Sequence, residues 1–379
     1  MADSAVTSEE GQQHDAPTAR PKRKVLRLGV LVLLAIVAIA AGYLVLAPSP
    51  IDPIAYAPTP AAPLTGPLQP NEQLRSAEIL ARDQIHGPED VDLDSEGRIY
   101  GATIDGLIVR VLEDVKVETF ARTGGRPLGI HFDAAGNLIV CDAVNGLLSI
   151  DTEGNITTLA SEADGVPFGF TDDVDIAPDG TIYFSDASSK FGEGEYILDL
   201  FEGRPHGRLL AYDPASRETK MLIDGLHFAN GVAVSPDGEF VLVSETYRYR
   251  VQRYWLKGEK AGTGEIFIDG LPGFPDGIST SPRGTFWVAM FTVRNQTADF
   301  MAPRPWLRSV ISKLPSATWP KPEPYGLVLE LDSDGEIIRS LHDPGGQHVS
   351  VITSVHEEAG QLYFGTLLNH WIARMPVPE

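Results

Sequence analysis

Beyond residue 70, short runs of alternating apolar and polar residues recur along the chain, each followed by a tight turn with glycine and a second, more apolar run. This pattern predicts a β-hairpin. Segments such as GLLSID, GRLLAYD and RVQRYWL follow most copies and add two further strands to the hairpin. The six copies read PEDVDLDSEGRIYGAT, PLGIHFDAAGNLIVCD, TDDVDIAPDGTIYFSD, NGVAVSPDGEFVLVSE, PDGISTSPRGTFWVAM and, less regularly, ITSVHEEAGQLYFGTL.

A unit of about four strands is typical of a β-propeller blade. The spacing of the turn glycines is too wide for a solenoid of tight repeats, but it fits blades joined by loops of variable length. We expect residues 77–83 to add a strand to the last blade and so to hide a sheet edge. The sequence therefore predicts an all-β, six-bladed propeller over residues 71–379. The turn glycines are Gly97, Gly136, Gly180, Gly238, Gly284 and Gly360.

One position in the repeat carries candidate chemistry. Eight residues before the turn glycine, four of the six copies have a side chain with an oxygen donor, and the other two have Leu128 and Ile352. If the blades superpose, these side chains converge on the propeller axis, where carboxylates without a cation would repel one another. Oxygen donors favour Ca²⁺. Zinc sites usually contain His or Cys ligands, and no cluster of these residues occurs at matching positions. Strand capping is the alternative interpretation. The predicted metal ligands are Glu89, Asp172, Asn230 and Asp276.

The N-terminal region forms a separate part of the chain. Residues 25–46 contain an uncharged apolar run from Leu28 onward that is long enough to span a membrane. The basic RPKRK segment before it predicts a cytoplasmic tail over residues 1–24 and a body in the periplasm or outside the cell. The run is longer than the apolar region of a cleaved signal peptide, which is the alternative. Residues 47–70 are rich in Pro and Ala and predict an extended stalk.

Charge and cysteine content narrow the classes of partner and fold. The 30 basic and 52 acidic residues give a formal net charge of −22. Such a charge repels phosphate backbones, so we expect no nucleic acid as a partner. Cys141 is the single cysteine of the chain, so no internal disulfide stabilises the fold, and its place in an apolar strand pattern predicts a buried thiol.

These motifs also resemble a known group of proteins. The repeat with Glu89, an acid at 172, Asn230 in FANGV and Asp276 in FPDG resembles the calcium-dependent six-bladed propellers of gluconolactonases, paraoxonases and strictosidine synthase-like proteins. Loops such as YFSDASSKF, RPWLR and LHDPGG are similar to the adipocyte plasma membrane-associated protein branch, which also has a membrane anchor. The resemblance runs from about residue 75 to the C-terminus.

The resemblance implies a calcium-dependent hydrolase of small esters or lactones, similar to arylesterases. Asp172 stands where relatives often have Asn, which adds a negative charge. The plant strictosidine synthases use a glutamate at the start of the sixth blade, but here Thr353 or a neighbour takes that place. The resemblance therefore does not imply their amine–aldehyde condensation. The alternative function is a non-catalytic propeller that binds a ligand or a protein around a structural calcium ion.

Several residues are candidates for catalysis beside such a cation. Asp276 or Asp172 would act as general base, and Asp173 is either another base or a strand residue that faces a neighbouring blade. His227, next to FANGV, is the candidate catalytic histidine, whereas His131 lies in a strand pattern typical of packing. No Gly-x-Ser-x-Gly motif supports a serine hydrolase.

Two insertions interrupt the repeat pattern. Residues 195–203 and 305–314 carry apolar side chains, in the second case at helical spacing. A lid over the channel mouth, packing on the propeller rim and contact with the membrane surface are the three interpretations of these segments.

Overall fold

The computed structural model describes residues 22–112 and 114–378, and the chain divides into two compact units between Pro48 and Ser49. In the first unit, helix α1 spans Lys22–Leu46. Its apolar part, Val25–Leu46, is long and apolar enough to cross a membrane, judged by length and composition. Most of the predicted cytoplasmic tail, residues 1–21, lies outside the described residues.

The second unit contains six four-stranded antiparallel sheets, and its first strand is β1 (Glu78–Leu80). In five of these sheets the strands follow one another in chain order, as expected when short turns join neighbours. A small hairpin, β10 (Glu162–Ala163) and β11 (Val166–Pro167), lies between blades 2 and 3. The strands of blades 1 to 3 are β2 Val91–Leu93, β3 Ile99–Ala102, β4 Leu107–Val111, β5 Val117–Arg122; β6 Pro127–Phe132, β7 Leu138–Asp142, β8 Gly146–Ile150, β9 Ile156–Ala160; and β12 Thr171–Ile176, β13 Ile182–Asp186, β14 Gly207–Asp213, β15 Glu218–Leu226.

The last blade closes the ring. Strand β1 pairs with β26, so the sheet order of blade 6 is β1-β26-β25-β24 and the first and last parts of the propeller share one sheet. This confirms the predicted six-bladed architecture and the additional strand near residues 77–83. The strands of blades 4 to 6 are β16 Ala229–Val234, β17 Phe240–Glu245, β18 Arg250–Trp255, β19 Gly264–Ile268; β20 Gly273–Thr280, β21 Phe286–Val293, β22 Gly326–Leu331, β23 Ile337–Asp343; and β24 Ile352–Glu358, β25 Gln361–Thr366, β26 Ile372–Pro376.

The hydrophobic core is divided among the spaces between blades. Tyr100 and Ile108 of blade 1, for example, pack with Leu138 and Leu148 of blade 2. Each blade is too thin to bury both of its faces alone, so neighbouring blades supply the cover. The structure buries Cys141 completely in such a space, as the sequence predicts.

The antiparallel order gives the propeller two different ends. The innermost strands begin at one end, and the loops between the second and third strand of every blade lie there too. We call this end the cavity face. The six glycine turns that join the first and second strands lie at the opposite end, the turn face. The cavity-face loops comprise residues 103–106, 143–145, 187–206, 246–249, 294–325 and 367–371.

Both predicted insertions belong to the cavity face and contain helices. Helix α2 spans Tyr196–Glu202 and α4 spans Pro305–Ser312, while α3 (Gln296–Met301) precedes the second insertion in the same loop. Asn295 caps α3, since its side chain accepts hydrogen bonds from the backbone N–H groups of Thr297 and Ala298. We call α2, α3 and α4 together the lid helices.

Residues 49–70, predicted to be a stalk, instead pack on the propeller unit, and we call them the strap. Ile51 is buried against Phe191, Phe201 and Met301. Farther along, the backbone N–H of Ala62 donates a 2.9 Å hydrogen bond to the carbonyl oxygen of Gly270. The compact unit therefore starts at Ser49 and not at residue 71. Pro and Ala do favour extended backbone here, but the apolar side chains between them are used for packing.

Candidate metal and substrate site

The four predicted metal ligands all line one cavity of about 200 Å³ at the cavity face. Glu89 precedes β2, whereas Asp172, Asn230 and Asp276 lie in the innermost strands β12, β16 and β20. Each of the four is less than a tenth exposed. The structure thus brings together side chains from four blades that are far apart in the sequence.

A β-bulge explains why these polar side chains face the cavity. The register of the innermost strand shifts between Thr171 and Val174 in blade 3, and equivalent shifts occur at Asn230 in blade 4 and Asp276 in blade 5. A bulge adds a residue to one strand and redirects its side chain. In the last blade the shift falls at Thr353, and Thr353 lines the cavity while Ile352 packs in the core. Counting back from the turn glycine gives Ile352, which is one residue away from the cavity position, and Thr353 is the residue found there.

Glycine follows two of the ligands because the next blade is too close for a side chain. A Cβ atom on Gly231 would lie 2.3 Å from the carbonyl oxygen of Asp276, and one on Gly277 would lie 2.6 Å from that of Thr353. Both distances are far below van der Waals contact. These glycines let the innermost strands of neighbouring blades touch, which fixes the spacing of the side chains around the cavity.

The electrostatics of the cavity floor are unfavourable for three bare carboxylates. Burial and the charge of Asp172 raise the pKa of Glu89 well above its usual value. Burial and the charge of Asp276 likewise raise the pKa of Asp172, and burial and Glu89 raise the pKa of Asp276. A hydrogen bond between Asp276 and Asn230 offsets part of that cost. The group is therefore one that a cation would stabilise.

One orphaned oxygen and the chemistry of the donor set agree with a cation. Oδ2 of Asp172 is buried and has no hydrogen-bond partner. An unpaired buried carboxylate oxygen is costly, and carboxylate and amide oxygens are the ligands that Ca²⁺ takes. Among the described residues, however, no group of three or more His, Cys, Asp or Glu side chains stands in an arrangement that would hold a metal ion. The metal ligand set stays a prediction.

The walls of the cavity are apolar and largely aromatic. The rings of Phe228 and Tyr247 stack with their centroids 4.5 Å apart, and Phe170 lies 5.6 Å from Phe228. Leu128, in the second blade, occupies the repeat position that carries oxygen donors in other blades. The cavity therefore combines a charged floor with walls suited to an apolar or aromatic ligand.

Helix α2 forms part of this wall, which agrees with the lid position that was one of the interpretations left open by the sequence. Its residues Tyr196, Ile197 and Leu200 line the cavity. Helix α3 contributes Met301, whereas no residue of α4 lines the cavity. Leu307 and Ile311 of α4 pack instead against the buried cluster around Phe201. Helix α4 thus supports the lid from behind.

The structure does not bring His227 into the cavity. Its backbone N–H donates to Glu245, and its Nδ1 atom is buried without a hydrogen-bond partner. Burial and the charges of Arg248 and Arg250 lower the pKa of His227 to about 3. We therefore withdraw it as a catalytic candidate. Its neighbour Phe228 takes the cavity position, so adjacency in sequence to Asn230 was misleading.

The other two alternatives lie elsewhere along the channel. Asp173 points toward blade 4, where its carboxylate accepts a hydrogen bond from the backbone N–H of Val232. His131 lies nearer the turn face, with Nδ1 3.3 Å from Asp92 and Nε2 3.6 Å from Asp175. Both residues line a second, more polar pocket with Asp90 and Ser354. Neither lines the cavity that contains the predicted metal ligands.

Arg126 is a site residue that the sequence analysis missed. It is only 3% exposed and lines the cavity, and one guanidinium nitrogen donates to the carbonyl oxygen of Pro127. The other terminal nitrogen, Nη2, has no hydrogen-bond partner. Burial lowers the pKa of Arg126, while Glu89 is the largest of the charges that oppose this. Arg126 lies two residues before Leu128 in GRPLGI, and this closeness to the repeat position was the sequence feature that could have indicated its place in the site.

Comparisons with known proteins agree with this architecture. The strictosidine synthase profile matches residues 172–259, and the strictosidine synthase-like N-terminal profile matches residues 66–111. The rat adipocyte plasma membrane-associated protein is 39% identical over 88% of this chain and 95% of its own length. The chain belongs to the adipocyte plasma membrane-associated protein family of strictosidine synthase-like proteins.

Solved structures share the fold of this family member at low identity. A gluconolactonase from Xanthomonas campestris superposes with a TM-score of 0.59 and 18% identity, covering 88% of this chain and 99% of the other. The calcium-binding protein regucalcin from Agrobacterium tumefaciens gives a TM-score of 0.57 and 16% identity over 78% of this chain and 92% of its own. These likenesses establish a lactonase-like propeller fold.

The family also bears on helix α1. Relatives are named as plasma membrane-associated, and α1 fits a single-pass membrane anchor. The predicted orientation, with a cytoplasmic N-terminus and the propeller on the other side of the membrane, stays a prediction.

Proposed function

We propose that this family member is a membrane-anchored, calcium-dependent hydrolase of esters or lactones. The observation that carries the proposal is the unpaired Oδ2 of Asp172, which lies among buried carboxylates at the floor of an apolar cavity. Glu89, Asp172, Asn230 and Asp276 would hold the ion. Bound calcium would polarise the carbonyl group of a substrate as a Lewis acid.

The residues around that position have separate tasks. Nη2 of Arg126 is free to donate a hydrogen bond to a substrate oxygen, where charge develops during attack on a carbonyl. Asp276 or Asp172 would accept a proton from the attacking water, because burial and neighbouring charges raise the pKa of each carboxyl and so make each a stronger base. Helix α2 and the aromatic wall would orient the apolar part of the substrate and exclude other water.

The walls narrow the class of substrate. Phe170, Phe228, Tyr247 and Phe274 favour aryl or alkyl groups rather than highly hydroxylated ones. Leu128 at a repeat position otherwise held by oxygen donors supports the same conclusion. Thr353 replaces a carboxylate at the start of the sixth blade, so amine–aldehyde condensation is not part of the proposal.

The same apolar wall also supports a second candidate function, a propeller that binds an apolar ligand without turnover and keeps calcium as a structural ion. A lactonase-like fold serves either role.

One experiment separates the two candidates. Purified full-length protein in detergent is assayed on a panel of aryl esters and lactones, with calcium and after chelation. Asp172→Asn is compared with Asp175→Asn, which changes a carboxylate on the same strand that does not line the cavity. Loss of hydrolysis on chelation and in Asp172→Asn alone supports the hydrolase. Calcium-dependent stabilisation and ligand binding without hydrolysis support the binding propeller.

A further inference from the structure

Exposed apolar side chains are concentrated at the cavity face. Trp306 on α4 is 66% exposed and Phe300 on α3 is 56% exposed. Three more cavity-face loops expose Ile104, Val144 and Leu368. Large exposed apolar side chains grouped around a pocket mouth mark an interaction surface. Two of them, Ile104 and Leu368, also line the cavity, so this surface is continuous with the mouth.

The turn face is different. Among the described residues, none of its six glycine turns exposes a large apolar side chain. These turns are instead acidic, with Asp94, Glu96, Asp133, Asp179 and Glu239 among their residues. Val115, in the turn between β4 and β5, is exposed at this end, but the glycine turns themselves are charged and contrast with the apolar rim of the cavity mouth.

The short segment between α1 and the lid helices indicates what covers the apolar cavity face. Helix α1 ends at Leu46, and Ile51, five residues later, is buried against the lid helices. Five residues span at most about 17 Å when fully extended. The buried cluster contains Phe201 of α2 and Met301 of α3, and Leu307 of α4 packs against it. The chain therefore leaves only residues 47–50 between the end of α1 and a cluster that involves all three lid helices.

The strap keeps this connection short. The backbone N–H of Asp52 donates a 2.9 Å hydrogen bond to the carboxylate of Glu202, and the backbone N–H of Ile54 donates to the carbonyl oxygen of Glu202. Arg308 of α4 donates to the carbonyl oxygen of Ile54, and the Arg248 guanidinium lies 3.7 Å above the ring of Tyr56. With these contacts the strap cannot extend as a free spacer and lift the propeller away from a membrane.

We propose that the cavity face docks on the lipid bilayer that α1 crosses, with Trp306 and Phe300 in the interfacial layer. Tryptophan and arginine are favoured there, and Arg304 lies 3.9 Å over the Phe300 ring. The cavity then receives amphiphilic esters or lactones directly from the membrane. This substrate class rests on the proposed hydrolase function, whereas the docking itself does not.

Spin labels test the docking without any activity. Cys141 is fully buried, so single cysteines introduced as Trp306→Cys and Phe300→Cys carry the label, with Glu96→Cys and Asp179→Cys on the turn face as matched controls. Full-length protein is reconstituted in phosphatidylcholine vesicles, and nitroxide collisions with oxygen and with a water-soluble nickel chelate are compared. We expect collisions with oxygen to be the more frequent at positions 300 and 306, and collisions with the nickel chelate to be the more frequent at positions 96 and 179. Equal nickel accessibility at all four positions overturns the proposal.

A second variant tests the route of the substrate. Trp306→Glu places a charge on the docking surface but does not touch the cavity lining. We expect kcat/KM for a long-chain aryl ester held in the vesicles to fall roughly tenfold, as for the loss of one interfacial aromatic contact. Hydrolysis of a short water-soluble aryl ester stays unchanged. An equal loss on both esters contradicts delivery from the membrane. Absence of all hydrolysis, with immersed labels, refutes the enzyme proposal and leaves the docking supported.

Discussion

The carboxylate of Asp173 in blade 3 accepts a 2.8 Å hydrogen bond from the backbone N–H of Val232 in blade 4. Its other oxygen accepts from the N–H of Val174, so one half-buried side chain joins two innermost strands that share no sheet hydrogen bonds. Asp90 makes the same pair of contacts, to Val91 and to Ile130 of blade 2. The adjacent acids Asp172 and Asp173 therefore have different tasks, one at the cavity and one between blades.

Removing Asp173 tests this division. Asp173→Ala leaves two buried N–H groups without an acceptor, so we expect the free energy of unfolding to fall by about 2 kcal/mol. Calcium affinity should stay close to that of the wild type. Denaturant titration and calcium calorimetry measure the two effects, with Asp179→Ala on an exposed turn as the control. A variant as stable as the control would show that the bridge to Val232 contributes nothing.

The propeller could be predicted from the sequence, because six copies of the same turn and strand pattern indicate six blades. The ligand positions followed from the register of the turn glycine. The position in the last blade was missed by one residue, since the bulge at Thr353 is set by backbone pairing with β25 and not by the turn. The cavity role of Arg126 and the displacement of His227 also depend on bulges and neighbouring blades, which no local pattern reports.

The strap shows a different limit of sequence analysis. Pro and Ala predicted its extended backbone, but its three anchoring side chains, Ile51, Tyr56 and Leu68, are too few for a periodic pattern. Their partners lie far away in the sequence: Arg248 stacks on Tyr56, and Leu68 joins the largest hydrophobic cluster. Composition indicates how such a segment bends, whereas tertiary contacts decide what it touches.

Calcium and Asp172 should have opposite effects on stability. In the presence of a chelator we expect Asp172→Asn to raise the free energy of unfolding by about 2 kcal/mol at neutral pH, because it removes a buried charge repelled by Asp276. With saturating calcium the order should reverse, since the variant loses a ligand. Thermal unfolding with and without calcium measures both. Asp179→Asn on an exposed turn serves as the control, and a variant less stable under both conditions would contradict the predicted metal set.

His131 should make stability depend on pH. Burial lowers the pKa of His131, but the carboxylates of Asp92, Asp175 and Asp90 outweigh burial and raise this pKa above its usual value. The protonated ring therefore stabilises the fold fully below about pH 6.5, the unfolded pKa, and this contribution disappears as pH rises through the folded value. His356, 3.5 Å from Asp92, also faces this cluster.

The measurement compares the wild type with His131→Gln across this pH range, in chelator so that metal binding does not contribute. We expect the wild type to be the more stable protein at low pH and the difference to shrink at high pH. A difference that stays constant with pH would show that the ring acts by packing alone.

Arg126 should affect catalysis and metal binding in opposite directions. Its guanidinium lies beside Glu89 and Asp172 and repels a cation, while its unpaired Nη2 is available to a substrate oxygen. We expect Arg126→Gln to bind calcium more tightly but to lose about 100-fold in kcat/KM for aryl esters, the usual effect of removing one donor to developing negative charge. Arg122→Gln, an exposed arginine on the outer strand of blade 1, is the matched control. Because a residue that only shields the carboxylates would change calcium affinity without changing kcat/KM, the two measurements together decide whether Arg126 contacts the substrate.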